Sequence, residues 1–192
     1  VGWLMLAIAV VKIMHELGHA VACKHFGGEV HELGLLLLAF TPCLYCDVSD
    51  AWQLPDRRQR ILISAAGMIV EFVLASLAVI VWWYSHPGIL HLVALNIVLV
   101  CTASTLVINA NPLLRYDGYY ILSALTATPN LWHRSRQVLR QISARWLLGL
   151  KDFQEVLVPE HHRGWLALYA ICSKIYLALV LIGIVWMLVT FL

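Results

Sequence analysis

The stretch Ile13 to Phe26, with the sequence IMHELGHAVACKHF, sets His15, Glu16 and His19 among apolar residues and ends in Lys24 and His25 before Phe26. On an α-helix, residues four apart lie one turn above each other, so His15 and His19 would present two imidazoles to one point with Glu16 beside them. This is the zinc-binding H-E-x-x-H arrangement. Zinc held by two imidazoles and a third protein ligand keeps one position open for water and lowers the pKa of that water, and the glutamate takes its proton. The pattern therefore predicts metal-assisted hydrolysis.

The composition is far more apolar than that of a soluble domain. Of the 192 residues, 61% are hydrophobic and 12% are charged. Several runs are long enough to cross a bilayer, so we expect an integral membrane protein in contact with lipid. The formal net charge of +2 is too small to indicate a nucleic-acid partner. The chain begins at Val1 rather than at a methionine, from which we expect a piece of a longer protein.

Hydropathy and helix breakers predict the architecture. Gly27 and Gly28 should end the first span. The segment from Glu29 to Phe40 is too short for a comfortable helical span, so we expect a strand hairpin or a re-entrant segment there, followed by a polar connection to Arg60. The predicted fold class is an all-α polytopic membrane protein with about four transmembrane helices and a broken third helix. The expected spans are residues 1–22, 61–84, 89–108 and 165–192.

The third span ends in the sequence NANPLLRYDG, from Asn109 to Gly118. Pro112 removes a backbone donor and disfavours helix at the preceding residue, so the chain should unwind around Asn111. Broken backbone at membrane depth is tolerated where it lines a protein or watery cavity. Asp117 can then point a carboxylate inward at the start of a resumed helix. On local sequence alone, the alternative for Asp117 is a helix N-cap.

Three further charged residues, Lys12, Glu71 and Lys174, fall within the predicted spans. Lys12 should pair with Glu16 or Glu71, or else extend its ammonium toward water. Glu71 should be protonated and hydrogen-bonded, or contribute to the metal site.

Two shorter motifs compete for a metal role. Cys43 and Cys46 form half of a zinc or redox signature without a second pair, so a structural or incidental role leads over a small metal or disulfide site. His31 to Gly34 repeats the first four letters of the histidine motif, but Leu35 follows, so the second imidazole is missing. His31 is therefore not expected to bind the metal.

Charge placement predicts the topology. The segments between the first and second spans and between the third and fourth carry nearly all Lys and Arg, and the turn at 85–88 carries none, which places both basic segments in the cytoplasm. Within the connection at 126–164, residues 131–148 should form an amphipathic helix on the membrane surface. His15, His19 and Asp117 would then lie at the same membrane face. We expect one membrane-embedded domain over 1–192, with its catalytic core in 1–125.

The H-E-L-G-H sequence in an apolar helix, followed after one intervening span by Asn109-x-x-Pro112-x-x-x-x-Asp117-Gly118, resembles the site-2 protease family of intramembrane zinc metalloproteases. The resemblance covers Val1 to about Leu125. It implies one zinc ion per chain and a general base, and it implies an asparagine that helps to hold the substrate or the oxyanion. The zinc ligands would be His15, His19 and Asp117, and the general base would be Glu16. The asparagine that helps to hold the substrate or the oxyanion would be Asn109, with Asn111 as the alternative.

This chain departs from the family pattern at two places. Gly67-Met68 and Glu71 stand where many members have Gly-Pro and an asparagine, and Tyr116 replaces the usual leucine before Asp117. The sequences NPLLRYDGYY and CLYC resemble a bacterial branch found beside peptide-maturation and secretion machinery. The resemblance thus implies a bacterial inner-membrane protein whose active site lies toward the cytoplasm, with secretion or maturation partners.

Two functions from different classes follow. The first is an intramembrane zinc metalloprotease that hydrolyses peptide bonds of membrane-embedded or membrane-proximal substrates. The second is a noncatalytic metal-binding component of a peptide export or maturation complex, in which a fourth protein ligand such as Glu71 or Cys23 would close the zinc site. A metal-ion transporter would need more polar groups along a continuous path than Glu71, Lys12 and Lys174 supply.

Overall fold

The computed structural model describes residues 2–38, 41–148 and 160–191. The chain forms two compact units that divide after Ala127. Among these described residues, the first unit holds four α-helices and a two-stranded sheet, and the second holds two α-helices. In chain order the elements are α1 (Gly2–His25), β1 (Leu33–Leu38), β2 (Thr41–Cys46), α2 (Arg57–Tyr84), α3 (Ile89–Ala103), α4 (Asp117–Leu125), α5 (Leu131–Leu148) and α6 (Glu160–Phe191).

Helix α1 buries one narrow stripe of side chains at every fourth position, which are Ala7, Val11, His15, His19 and Cys23. Because 3.6 residues make one turn, this spacing keeps a single face against the neighbouring helices. The other faces carry exposed apolar side chains such as Val21 and Leu17. Such a helix suits lipid on most sides and protein on one.

Helix α1 ends where the glycine pair predicted it would. Gly27 has a φ of +85°, in the left-handed region that glycine adopts without strain. The Gly28 amide donates to the Cys23 carbonyl at 3.0 Å and the Gly27 amide to the Lys24 carbonyl at 3.1 Å. This pair of hydrogen bonds is a Schellman cap.

Of the two structures predicted for Glu29 to Phe40, the structure has the hairpin, and it extends further along the chain than expected. Antiparallel strands β1 and β2 pair from Leu33 with Cys46 to Leu38 with Thr41. The second strand therefore lies in the stretch predicted as a polar connection. Residues 39–40, which include Phe40, lie outside the described residues. A 3₁₀ helix, Ser49–Gln53, follows, and Asp56 then caps α2 by accepting a hydrogen bond from the Arg58 amide at 2.8 Å.

Helix α3 continues directly into a π-helix, Ser104–Asn109. The Ala110 amide donates to the Thr105 carbonyl at 2.8 Å, five residues back, so the turn is wider than an α-turn. The chain then leaves the helix before Pro112 and resumes as α4 at Asp117, as predicted. A Cβ at Gly118 would lie 2.5 Å from the Ala110 carbonyl oxygen, so the broken segment packs directly on the first turn of α4.

Four helices in the described part of the chain are long and apolar enough to cross a membrane. They are Gly2–His25, Arg57–Tyr84, Ile89–Asn109 and Arg163–Thr190. The predicted fold class is confirmed in each of its parts: four candidate spans, a hairpin after the first and a break at the end of the third.

In the second unit, α5 packs against α6. The first three buried side chains of α5 fall on one stripe and Ala144 lies off it, and the buried side chains of α6 are clustered near its start. They are Leu131, Ser135, Val138 and Ala144 on α5, and Leu166, Tyr169, Ala170 and Ser173 on α6. The predicted amphipathic helix at 131–148 thus matches α5, and residues 149–159 of the predicted connection lie outside the described part.

Candidate metal centre

Three side chains from two distant parts of the sequence meet inside the first unit. The Nε2 atoms of His15 and His19 lie 3.2 Å apart. His15 Nε2 lies 3.1 Å from Oδ2 of Asp117, and His19 Nε2 lies 3.4 Å from its Oδ1. One ligand atom from each residue falls within 4.8 Å of the other two. The structure therefore brings together the three residues that the sequence proposed as metal ligands.

Each imidazole is held from behind through its other nitrogen. Nδ1 of His19 lies 2.8 Å from the carbonyl oxygen of Ile63, and Nδ1 of His15 lies 3.0 Å from Oε1 of Glu71. Both partners belong to α2 and both accept hydrogen bonds. An acceptor at Nδ1 fixes the proton there and leaves Nε2 free as a ligand atom, which is the usual arrangement around metal-bound histidines.

Helix α2 approaches α1 closely enough to reach both rings because it has small residues at the contact. A Cβ at Gly67 would lie 2.5 Å from Nε2 of both His15 and His19, and a Cβ at Gly18 would lie 2.8 Å from Cγ2 of Val70. Ser64 to Gly67 is a run of small residues in the sequence. Its contribution to the site depends on the helix pairing.

The residues present fit a zinc ion. Oδ2 of Asp117 is buried without a hydrogen-bond partner. With the imidazole protons on Nδ1, two nitrogen lone pairs and a carboxylate face one another in a space where His15 is 3% exposed and His19 is 6% exposed. Such a convergence of electron pairs is unfavourable unless a cation lies between them. Two neutral imidazoles and one carboxylate are a donor set of catalytic zinc sites.

A cavity of about 240 Å³ adjoins these residues. Glu16, His19 and Asp117 lie in its wall, so the predicted base and two predicted ligands face the same space. Helices α2 and α4 add Ser64 and Tyr120. The remaining wall comes from the end of β2 and the 3₁₀ helix after it, which sequence reasoning did not assign to the site: Cys46, Asp47, Val48, Ser49, Ala51 and Trp52.

Asn109 lies behind His15 rather than in the wall of this cavity. Its amide nitrogen lies 3.4 Å from Nδ1 of His15 and donates to the Ser104 hydroxyl at 3.2 Å. Asn111, the alternative, lies in the broken segment, where its side-chain oxygen accepts a hydrogen bond from the Leu113 amide at 2.9 Å. The proposed oxyanion role of Asn109 thus stays a prediction.

Among the described residues, the other charged candidates lie outside the ligand group of His15, His19 and Asp117. Lys12 lies 3.3 Å from Glu71, which is one of its predicted partners. His31 is on the surface, where its Nε2 lies 3.0 Å from Asp50. Within the described part of the chain, neither Glu71 nor Cys23 belongs to the ligand group of His15, His19 and Asp117.

The cysteine pair falls only partly within the described side chains. The Cys46 thiol is free and partly buried in the cavity wall. The side chain of Cys43 lies outside the described part of the structure. The pairing of these two cysteines therefore has no structural description.

The chain is similar to known proteins. The model of peptidase family M50 matches residues 3–156. The chain is 28% identical over 129 residues to the "Putative peptide zinc metalloprotease protein YydH" of Bacillus subtilis (strain 168), covering 64% of this chain and 49% of that protein. The chain thus spans about half the length of the curated relative it matches. Among solved structures, the site-2 protease from Methanocaldococcus jannaschii matches with 22% identity and a TM-score of 0.49, covering 78% of this chain and 69% of that one.

Proposed function

Because the chain belongs to peptidase family M50, we propose that it is the membrane-embedded core of a zinc metalloprotease that hydrolyses peptide bonds of membrane-embedded or membrane-proximal substrates. The membership confirms the resemblance inferred from the two motifs. With four apolar helices long enough to span a bilayer, the chain is an integral membrane protein.

One observation carries the proposal. Nε2 of His15, Nε2 of His19 and the Asp117 carboxylate converge within 4.8 Å beside a cavity that Glu16 also lines. The ligands, the proton acceptor and the space for a substrate are therefore at one place. A site built only for structure would have no need of a cavity next to its ligands.

The chemistry divides among the residues as follows. His15, His19 and Asp117 would hold one zinc ion, which when bound acts as a Lewis acid toward water and the scissile carbonyl. The Glu16 carboxylate accepts a proton from the attacking water and returns it to the leaving amine nitrogen. The Ile63 carbonyl and Glu71 hold the two rings so that Nε2 faces the cavity side. The Asn109 amide is proposed to support the oxyanion after a change in its hydrogen bonding.

The walls of the cavity support an extended peptide as the substrate. The end of β2 contributes Cys46 to the wall, and a two-stranded sheet can take up a third strand by backbone hydrogen bonds. A helical substrate must be unwound before water can reach its backbone, and strand addition stabilises the unwound form. We propose that the hairpin binds the substrate in this way and that the substrates are membrane proteins or peptides.

We further propose that the site lies toward the cytoplasmic face of a bacterial inner membrane, with partners from peptide maturation or secretion. The clusters of arginine in the first turn of α2 and on α5 support this orientation.

Replacing Glu16 with glutamine tests the mechanism. Glutamine keeps the shape of the side chain but cannot accept the proton of the water, so Glu16→Gln should keep its zinc and lose cleavage by at least about 100-fold. The measurements are zinc content by mass spectrometry and turnover of a quenched fluorogenic peptide library in detergent micelles. The matched control is Glu32→Gln, because Glu32 follows His31 as Glu16 follows His15 but lies on the surface. Retained turnover in Glu16→Gln contradicts the mechanism.

Zinc coordination separates the protease from a noncatalytic metal-binding component. X-ray absorption on the purified, zinc-loaded chain should show one zinc with two imidazole nitrogens and one carboxylate from the protein, leaving a position that an added hydroxamate occupies. Four protein ligands and no response to hydroxamate would instead support the noncatalytic component.

A further inference from the structure

A glutamate with no access to solvent lies at the back of the metal centre. Glu71 is in the apolar helix α2 and its side chain is 0% exposed. A buried carboxylate is costly unless hydrogen bonds and a counter-charge stabilise it. The contacts of Glu71 meet both conditions.

Both oxygens of Glu71 are surrounded by donor groups. Oε1 lies 3.3 Å from the Lys12 ammonium and accepts a hydrogen bond from the Ser104 hydroxyl at 2.9 Å. Oε2 accepts a hydrogen bond from the Thr105 hydroxyl. Lysine is a donor without an acceptor atom, so Glu71 faces it as an ionised acceptor. The sequence predicted a protonated and hydrogen-bonded Glu71 or a contributor to the metal site, whereas this environment suits an ionised, hydrogen-bonded carboxylate.

The π-helix supplies the hydroxyl side of this environment. In its wide turn Ser104 and Thr105 both reach Glu71, and Asn109 lies 3.5 Å from Oε1 of the same carboxylate. Ser104 and Asn109 are five residues apart, which is about one turn of a π-helix, so both side chains lie on the same side of it. In an α-helix, with 3.6 residues per turn, Asn109 would point further away from Ser104. The irregular helix is thus part of how Glu71 is held.

The remaining contact of Glu71 points at the metal centre. Nδ1 of His15 lies 3.0 Å from Oε1 of Glu71 and 3.4 Å from the Asn109 amide nitrogen. The shorter contact is to an acceptor, which places the imidazole proton on Nδ1. Nε2, which faces Asp117, then carries the lone pair that a metal requires.

We propose that Glu71, held by Lys12, is a positioning residue for His15: it fixes the ring orientation and the Nδ1–H tautomer of this histidine for metal binding. The inference rests on the proposed function, because it assigns a role at the same zinc site. It also gives the two histidines different supports. His19 is held by the backbone carbonyl of Ile63, which no side-chain substitution removes, and His15 is held by a charged side chain.

The competing explanation is that Glu71 only neutralises Lys12. A double variant distinguishes the two, because Lys12→Met together with Glu71→Leu removes both charges and leaves apolar side chains of similar size. Replacing a buried ion pair in this way is often neutral or stabilising for the fold. If charge balance is the whole role, the double variant binds zinc as the wild type does. If Glu71 positions His15, zinc binding stays weak although the fold is intact.

The measurement is the zinc dissociation constant by competition with a chromophoric chelator, together with thermal unfolding of the same protein in detergent. We expect the double variant to unfold near the wild-type temperature and its zinc dissociation constant to rise by about 10- to 100-fold, the usual effect of losing the partner of a metal-bound histidine. The matched control is Lys174→Met, which removes an exposed lysine from the apolar helix α6 and should leave zinc affinity unchanged. A double variant that is folded and binds zinc within about twofold of the wild type, as is typical of a side chain that does not support the ligands, overturns the proposal.

A second measurement needs no substitution at Glu71. In zinc-loaded wild-type protein labelled with nitrogen-15 histidine, the resonance that disappears in His15→Gln should show Nδ1 protonated and Nε2 bound to the metal. A protonated Nε2, or metal bound through Nδ1, overturns the proposal whether or not the double variant folds. Wild-type protein that binds no zinc would instead refute the proposed function itself.

Discussion

At the scale of single residues, the two nitrogens of each imidazole in the site have different contacts. Nε2 of both histidines faces Asp117 and Nδ1 faces an acceptor on α2. A histidine motif alone places two rings on one helix face but leaves each ring free to turn over. The acceptors behind the rings remove that freedom, so the geometry of the ligand group is set by Ile63 and Glu71 as much as by the histidines.

Cys46 shows why a cysteine in the cavity wall need not be a ligand or a nucleophile. Burial raises the pKa of its thiol from 9.0 to about 11, with smaller contributions from the charge of Glu16 and from Cys23. The thiolate is the reactive and metal-binding form, so Cys46 stays a neutral thiol near pH 7. The structural or incidental role of the cysteine pair stays a prediction.

Alkylation tests the state of Cys46. Because its pKa is raised, the thiolate fraction at pH 7 should be about 100-fold smaller than for a thiol at the ordinary value and should grow with each pH unit up to about 11. Iodoacetamide labelling of a Cys43→Ser variant, followed site by site with mass spectrometry, should therefore be slow in the folded protein and fast in the denatured one. Equal rates for the two states would show that burial does not control this thiol.

At the scale of elements, the site is assembled by two close approaches and one irregular helix. Gly67 lets α2 reach both histidine rings, Gly118 lets the broken segment pack on α4, and the π-helix directs Ser104, Thr105 and Asn109 to Glu71. The hairpin adds the outer wall of the cavity. Each element contributes one part of the site. Disturbing a contact between two elements should therefore weaken metal binding more than it destabilises the fold.

Gly67→Ala tests this expectation. The added methyl group would lie 2.5 Å from the ligand nitrogens of His15 and His19, so the rings must move and zinc affinity should fall by about 10- to 100-fold. The control is Gly183→Ala in α6, where a Cβ meets nothing within 4 Å and the helix should gain up to about 1 kcal/mol. Competition with a chelator measures the affinity, and unchanged zinc binding in Gly67→Ala would refute the close approach.

The location of helix α5 on the membrane surface remains a prediction. It carries four arginines and no acidic residue, and the guanidinium of Arg136 lies 3.8 Å from the ring centre of Trp132. Trp146 is 89% exposed beside Arg145. Basic and aromatic side chains together on one amphipathic helix are typical of helices that lie on an anionic membrane surface.

At the scale of the whole molecule, basic residues lie close to the metal centre. Arg57, Arg58 and Arg60 lie in the first turn of α2, and the following turns hold Ile63 and Gly67 against the histidines. The metal centre therefore lies near the basic end of the second span. The single domain predicted for 1–192 stays a prediction, since the chain forms two compact units.

Reporter fusions test the orientation in a bacterial membrane. Fusions after Gln53 and Asn130 should be active with a cytoplasmic reporter, and a fusion after Pro87 should be active with a reporter that requires export, because arginines flank the first two positions and the turn at 85–88 has none. Adding three arginines to that turn should weaken the preference. The opposite pattern in the unmodified chain would place the site at the outer face.

The sequence by itself determined the features that depend on residues close together in the chain. The four-residue spacing of His15 and His19 follows from helix geometry, the four spans follow from runs of apolar residues, and the break follows from Pro112. Only the tertiary structure decided that a second strand begins at Thr41, that Glu71 pairs with Lys12, and that Asn109 lies behind His15 instead of in the cavity.

For Glu71 and Asn109, the physical reason is that the contact joins residues far apart in the chain. Such a contact depends on the rotation of one helix about its axis and on its depth beside another, and hydropathy leaves both undetermined because every lipid-facing side of a span is similarly apolar. Small residues such as Gly67, and the extra residue in the turn of the π-helix, set the rotation and depth that bring the site together.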